Sequence, residues 1–148
     1  YFDVDSVRVP QKYPGKRHYR GPKKGEYSGH PGGKNPGDVW DIPNVKAHHP
    51  EKSVHQCQFP IALVQRLVRS LTREGDWVLD PFSGVGSAVC GALIEGRRGI
   101  GCELYEEYAD IAESRMAKAL TGELKYRDID KPIQIPDPSS DVGRRVEN

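Results

Sequence analysis

Asp80, Gly84, Gly86 and Glu103 are the residues of this chain whose types and spacing are best suited to holding a small molecule. Asp80 closes a short apolar run, Trp77-Val78-Leu79, and Pro81-Phe82-Ser83-Gly84-Val85-Gly86-Ser87 follows it. A carboxylate at a strand end accepts hydrogen bonds from an amino group, and glycines beyond it let backbone amides approach a ligand. Glu103 ends the next apolar run, where an acid can bind both hydroxyls of a ribose. The set describes a ligand with an amino-acid end and a nucleoside end. S-adenosylmethionine has both.

Two other readings compete. Gly84-x-Gly86 could open a dinucleotide fingerprint, but Val89 stands where that motif needs a third small residue for close packing. The glycines could also make only a tight strand-to-helix turn, with Glu103 capping a helix. The grouping of Asp80, the glycines and Glu103 at successive strand ends favours the ligand site over both.

Such residues must be carried by strands and helices, and the second part of the chain supplies them. Ile61, Leu63, Val64, Leu67, Val68 and Leu71 recur at three and four, an amphipathic helix with Pro60 at its first turn. Glu74-Gly75-Asp76 is a turn into the strand that ends at Asp80. A small-residue helix is expected over about residues 87–94, stopped by Gly96, and a second strand over residues 98–102. Residues 104–120 read as another helix, with Glu106 and Glu107 early and Arg115 and Lys118 late, as the helix dipole favours. Gly122 is its natural C-cap. Residues 126–129 suggest a third strand, and the Pro- and Ser-rich stretch from Lys131 a fraying tail. Alternating helices and strands make an α/β sheet of Rossmann-like kind, present in part.

Residues 1–58 have a different grammar. Gly and Pro recur every few positions, which breaks helices and central strands alike. Short strands are expected only at residues 6–9 and 39–42. The domain reading is a loop-rich basic segment over residues 1–54, the α/β portion over 55–130 and the tail over 131–148.

The totals bound the classes. The chain has 148 residues, enough for one domain with a core, but only 36% are hydrophobic while 16 are Gly and 12 Pro, so much of it must be loop. No run of about eighteen apolar residues is present, which excludes a membrane-spanning helix. The first residues do not read as a secretory or transit segment. Cys57, Cys90 and Cys102 have no paired-ligand spacing and read as small buried residues of an intracellular, cytoplasmic protein. The formal net charge of +1 hides an asymmetry, because residues 1–60 carry ten Lys/Arg against six Asp/Glu. Five histidines also lie there, but adjacent His48 and His49 chelate poorly and no carboxylate cluster attends them, so no metal site is expected.

Residues 80–87 resemble motif I of bacterial and phage DNA methyltransferases that modify adenine N6 or cytosine N4, usually Asp-Pro-Phe-x-Gly-Ser-Gly-Thr. His55-Gln56-Cys57-Gln58-Phe59-Pro60 resembles their motif X, commonly His-Pro-x-Gln-Phe/Lys-Pro. Gly99-Ile100-Gly101-Cys102-Glu103-Leu104 resembles motif II. The departures are Gln56 for Pro, Val85 for Ser and Ser87 for Thr. The resemblance covers about residues 39–135 and implies an S-adenosylmethionine site. Asp80, Pro81, Phe82, Ser83, Gly84, Gly86 and Ser87 would surround the methionine part of the cofactor. Glu103 and Leu104 would hold the nucleoside, and Gln58 and Phe59 would line the pocket. Phe59 could equally be core, and Ser87 a helix N-cap.

The resemblance also implies what this chain lacks. The catalytic motif of such enzymes is Asp/Asn/Ser-Pro-Pro-aromatic, which grips the target amino group and stacks on the flipped base. No Pro-Pro pair occurs in the sequence, so no catalytic residue is assigned. In the beta order of motifs that segment precedes motif X, and Met116 is the only methionine. The chain therefore reads as the C-terminal portion of such an enzyme, partnered by its missing N-terminal catalytic portion. A homodimer is a further assembly that the resemblance suggests.

Lys12, Lys16, Arg17, Arg20, Lys23 and Lys24 fall in one stretch without an acid, interleaved with Tyr13, His18 and Tyr19. Clustered cations beside aromatics suit phosphate contact. In the resembling enzymes this is the target-recognition position, so double-stranded DNA is the expected partner; a solvated loop is the bland reading. The leading expectation is site-specific DNA methylation, adenine N6 before cytosine N4. The alternatives are a non-catalytic cofactor- and DNA-binding remnant or partner subunit, and an α/β methyltransferase acting on RNA or protein.

Overall fold

The computed structural model describes residues 1–131; the tail expected beyond Lys131 lies outside them. Three helices and two strands follow one another as α1 (Ile61–Leu71), β1 (Trp77–Asp80), α2 (Ser87–Ile94), β2 (Arg98–Gly101) and α3 (Glu106–Thr121). The strands are parallel and in register, Trp77 opposite Arg98 and Asp80 opposite Gly101. The result is a partial Rossmann-like α/β sheet, as the alternation of periods implied.

Helix α2 is the centre of the packing. It touches both strands and both other helices. Its small residues allow this: Cys90 is fully buried beside Ile61 of α1 and Ala119 of α3, with Leu93, Ile94, Met116, Leu124 and Tyr126 closing around them. Among the described residues only one face of the sheet is covered in this way. Trp77, Leu79 and Ile100 remain exposed on the other. An all-parallel sheet is ordinarily covered on both faces, so this one is open where more structure would normally lie.

The helix ends show where distant side chains replace local caps. Pro60 precedes α1 without a side-chain cap. The buried carboxylate of Glu51 takes that role, accepting the Ile61 amide at 2.9 Å and, on its other oxygen, the Arg127 amide at 3.1 Å. An acid at a helix N-terminus is favoured by the dipole as well as by the bond. At its C-terminus α3 is ended by Gly122 in the left-handed region, φ 75°.

The structure differs from the sequence expectation in four backbone segments and in the burial of two cysteines. Among the described residues the 126–129 segment forms no strand, because its amides bond side chains instead of a neighbouring strand: Arg127 to Glu51 and Ile129 to the buried Gln65 at 3.1 Å. Residues 6–9 are not a strand either. Asp3 Oδ1 accepts the amides of Asp5 and Ser6 and winds Asp5–Val7 into a 3-10 turn, leaving only Val9 in a bridge with Lys34. Residues 39–42 are irregular; the Trp40 indole bonds the Gly37 carbonyl. Helix α3 starts at Glu106 and not at Leu104, because Glu103 draws the Leu104 and Tyr105 amides into a turn. Cys90 is the only one of the three cysteines that is buried. Cys57 and Cys102 lie in loops on the surface, while burial pushes the Cys90 thiol up to about 11.

Candidate functional site

The end of β1 and the end of β2 are stitched together by backbone. The Cys102 amide donates to the Asp80 carbonyl and the Ser83 amide returns to the Cys102 carbonyl, both at 2.9 Å. The Asp80 carboxylate folds over its own turn, accepting the Phe82 amide at 3.1 Å. The chain then turns through Ser83 and Gly84 into α2, with the Gly86 amide on the Ser83 carbonyl at 2.8 Å. Ser83, Gly84, Val85, Gly86 and Ser87 are buried, whereas Phe82 and Leu104 stand 88% exposed on the rim.

Two positions of the turn favour glycine strongly. Gly86 has φ 73°, and a Cβ there would lie 3.0 Å from the Ala112 methyl of α3. Gly84 has φ 52°, and its Cβ would lie 3.1 Å from Nε2 of His55. A side chain at either position meets both strain and a clash.

Glu103 locks the turn from the second strand. One oxygen accepts the Gly84 amide at 2.8 Å, and the other accepts those of Leu104 at 2.9 Å and Tyr105 at 3.0 Å. The Tyr105 amide, with those of Gly84 and Leu104, holds this carboxyl below its ordinary value. The carboxylate is thus ionised and aimed at the turn. It bonds the amides ahead of α3, not those of its first turn, so it is not a helix cap.

Two residues behind the turn were not singled out from the sequence as site residues. Arg115 of α3 is buried and donates to the Val85 carbonyl and to Ser87 Oγ, so Ser87 takes a side-chain bond where an N-cap was an open reading. The cap position itself is Gly86. His55 packs edge-on against Tyr108, ring centroids 4.7 Å apart, and fills the space below Gly84. Through it the 51–60 loop, the glycine turn and α3 meet. The signal for Arg115 was a lone base on the inward face of a helix; that for His55 was its place beside Gln58.

Gln58 is buried and bonds within its own loop. Its amide donates to the Glu51 carbonyl at 2.7 Å and accepts from Ser53 Oγ at 2.7 Å, so the side chain is spent on holding its own loop. Phe59 is 37% exposed, which places it at the surface and not in the core.

Lys12, Lys16, Arg17, Arg20, Lys23 and Lys24 are exposed together on a finger that leaves the body of the protein at the Val9–Lys34 bridge. Its two arms pair at Arg17 and Tyr27. The structure does not bring this finger to Asp80 or Glu103 in any bond among the described residues. No helix among them is long and apolar enough to cross a membrane.

The family model for N6/N4 methyltransferases, described as DNA methylase, matches residues 1–114. The chain belongs to this family of DNA amino-methyltransferases. It is 50% identical over 111 residues to the type II methyltransferase M.BglII of Bacillus subtilis, covering 75% of this chain and 31% of that enzyme. To M.ScaI of Streptomyces caespitosus it is 40% identical over 121 residues, covering 78% and 38%. A putative DNA modification methylase from Thermus thermophilus, solved with S-adenosyl-L-methionine, is 45% identical. The match covers 43% of this chain and 27% of that one, with a TM-score of 0.41. The chain thus spans about a third of the length of the curated relatives it matches.

Proposed function

We propose that this chain holds S-adenosylmethionine at the ends of β1 and β2 and serves as the cofactor- and DNA-contacting portion of a site-specific DNA amino-methyltransferase. The observation that carries the reading is the cradle itself: Asp80 and Glu103 at adjacent parallel strand ends, joined by a turn whose left-handed, tightly packed positions favour glycine. Asp80, Ser83 and the amides of the turn suit the amino-acid end of the cofactor, with Gly86 and Ser87 at the start of α2. Pro81 shapes the turn. Beyond the three amides it accepts, Glu103 keeps a lone pair on the oxygen that holds Gly84, free for a ribose hydroxyl. Leu104, exposed on the rim, offers apolar surface to the nucleoside, Phe82 stands on the rim at the methionine end, and Phe59 lies on the neighbouring loop. Gln58 contributes by fixing that loop.

Methyl transfer to adenine N6, preferred here over cytosine N4, needs a Pro-Pro-aromatic motif, which is not in this sequence. It comes from a further segment or a separate subunit, and the isolated chain binds cofactor without transferring methyl groups. The exposed Trp77, Leu79 and Ile100 support this, since they offer an open sheet face for the remaining structure to cover. The basic finger contacts double-stranded DNA, in the setting of an intracellular enzyme.

Calorimetry with S-adenosylmethionine and with NAD tests the pocket. Binding of the first alone is expected, with Glu103→Gln weakening it at least tenfold. Binding of NAD but not S-adenosylmethionine overturns the reading. Methylation of duplex DNA by the 148-residue chain would overturn the division of labour but not the pocket.

A further inference from the structure

The finger's six cations are not equivalent. Its arms are joined by the Ser28 amide on the Lys16 carbonyl at 2.9 Å, the His18 amide on the Glu26 carbonyl at 2.9 Å and the Gly25 amide on the His18 carbonyl at 3.0 Å. Arg17 sits in the middle of this ladder. Its Nη1 donates to the Gly25 carbonyl at 2.5 Å, and its guanidinium lies 4.3 Å from the centroid of the Tyr27 ring on the opposite arm. One side chain therefore ties the near arm to the far one twice, once by a charge-assisted bond and once by a cation–π contact. The side chains of Lys16, Lys23 and Lys24 make no hydrogen bond or ion pair among the described residues. Lys12 and Arg20 each rest loosely over a tyrosine, 5.5 Å from its centroid, with their donors unspent.

We infer that Arg17 is a positioning residue, the internal strut of the finger, and that Lys16, Lys23 and Lys24 make its contacts to phosphate. The inference rests on the DNA reading of the finger and divides labour within it. Lysine ammoniums are point charges on flexible stems, well suited to phosphate. The Arg17 fork, which could otherwise read a base edge from the ladder, is already occupied. The three lysines therefore fix the protein on the backbone, and their contribution is insensitive to base sequence.

The test combines binding of fluorescent duplex DNA over a salt series with amide hydrogen exchange on the 148-residue chain. Lys23→Ala/Lys24→Ala is expected to reduce the slope of log affinity against log salt by about 1.8, two counterions' worth, on any duplex sequence. Exchange at His18, Gly25 and Ser28 stays as in the unsubstituted chain. Arg17→Ala is expected to speed exchange at those three amides and weaken binding at least fivefold. Tyr27→Leu, which removes no charge, produces the same pair of effects. Arg17→Ala with the three amides still protected, or Tyr27→Leu binding DNA like the unsubstituted chain, overturns the assignment. A parent chain that binds no duplex even at low salt removes the DNA reading instead. Exchange in the Arg17 and Tyr27 variants then decides the strut on its own.

Discussion

The glycine cradle and the basic finger are both loops by sequence, yet they are held in different ways. In the cradle, Ser83, Gly84 and Gly86 give their amides to partners within the turn or on the second strand, while Ala112 and His55 press on the same turn from behind. In the finger the ladder is short, its residues are exposed, and one arginine supplies the cross-tie. The cradle is therefore shaped by the packed core, and damage to it spreads into global stability. The finger is shaped by itself. Damage to it stays local, because opening it exposes little apolar surface.

Substitution at the cradle should show the largest effect. Gly86→Ala combines a left-handed backbone with a Cβ at 3.0 Å from Ala112, and is expected to cost roughly 2–4 kcal/mol by urea unfolding, with cofactor binding lost. An unfolding midpoint equal to that of the unsubstituted chain would mean the turn is not held by α3 at all. Next comes Glu51→Ala, which leaves the Ile61 and Arg127 amides without their carboxylate; about 2–3 kcal/mol is expected. The same measurement on Glu51→Gln should recover part of this.

A third effect is conditional on pH. The Tyr105, Gly84 and Leu104 amides depress the folded-state value of Glu103, so its contribution is fully present above the ordinary glutamate value of 4.5 and is lost as pH falls through the depressed one. Thermal unfolding of the Glu103→Gln variant should therefore differ from the parent at pH 7 and converge with it in acid. Parallel curves at all pH values would deny the carboxylate its part in the lock. The smallest effect belongs to the finger: Tyr27→Leu should shift the global unfolding free energy by less than about 0.5 kcal/mol, whatever it does to DNA binding. A large loss there would show that finger and core are one cooperative unit.

The same contrast explains what could be read from the sequence. Helices α1, α2 and α3 and both strands follow from local rules: apolar period, the glycine after β1, the C-cap at Gly122. Asp80 and Glu103 were legible because strand ends and a glycine turn put them side by side. The ties that run across the chain were not. Glu51 caps a helix ten residues on and holds an amide seventy-six residues away, and Gln65 reaches Ile129. A polar residue has no period that announces its partner. For the same reason residues 126–129 suggested a strand, with no hint that side chains would take their amides. Gln58 was legible as part of a motif, but the direction of its amide is set by Ser53 and Glu51, which no spacing rule connects.

The carboxylate of Glu51 also marks where this chain can be recombined. Everything before it, from the 3-10 turn to the finger, touches the α/β portion mainly through α1, by the Asp3 amide on the Ser70 carbonyl and the stacking of Trp40 on Arg66. Everything from Glu51 to Gln58 is part of the cradle's support. Exchange of the N-terminal segment between relatives will transplant cleanly only when the junction falls ahead of Glu51. A crossover a few residues later separates a helix from its cap.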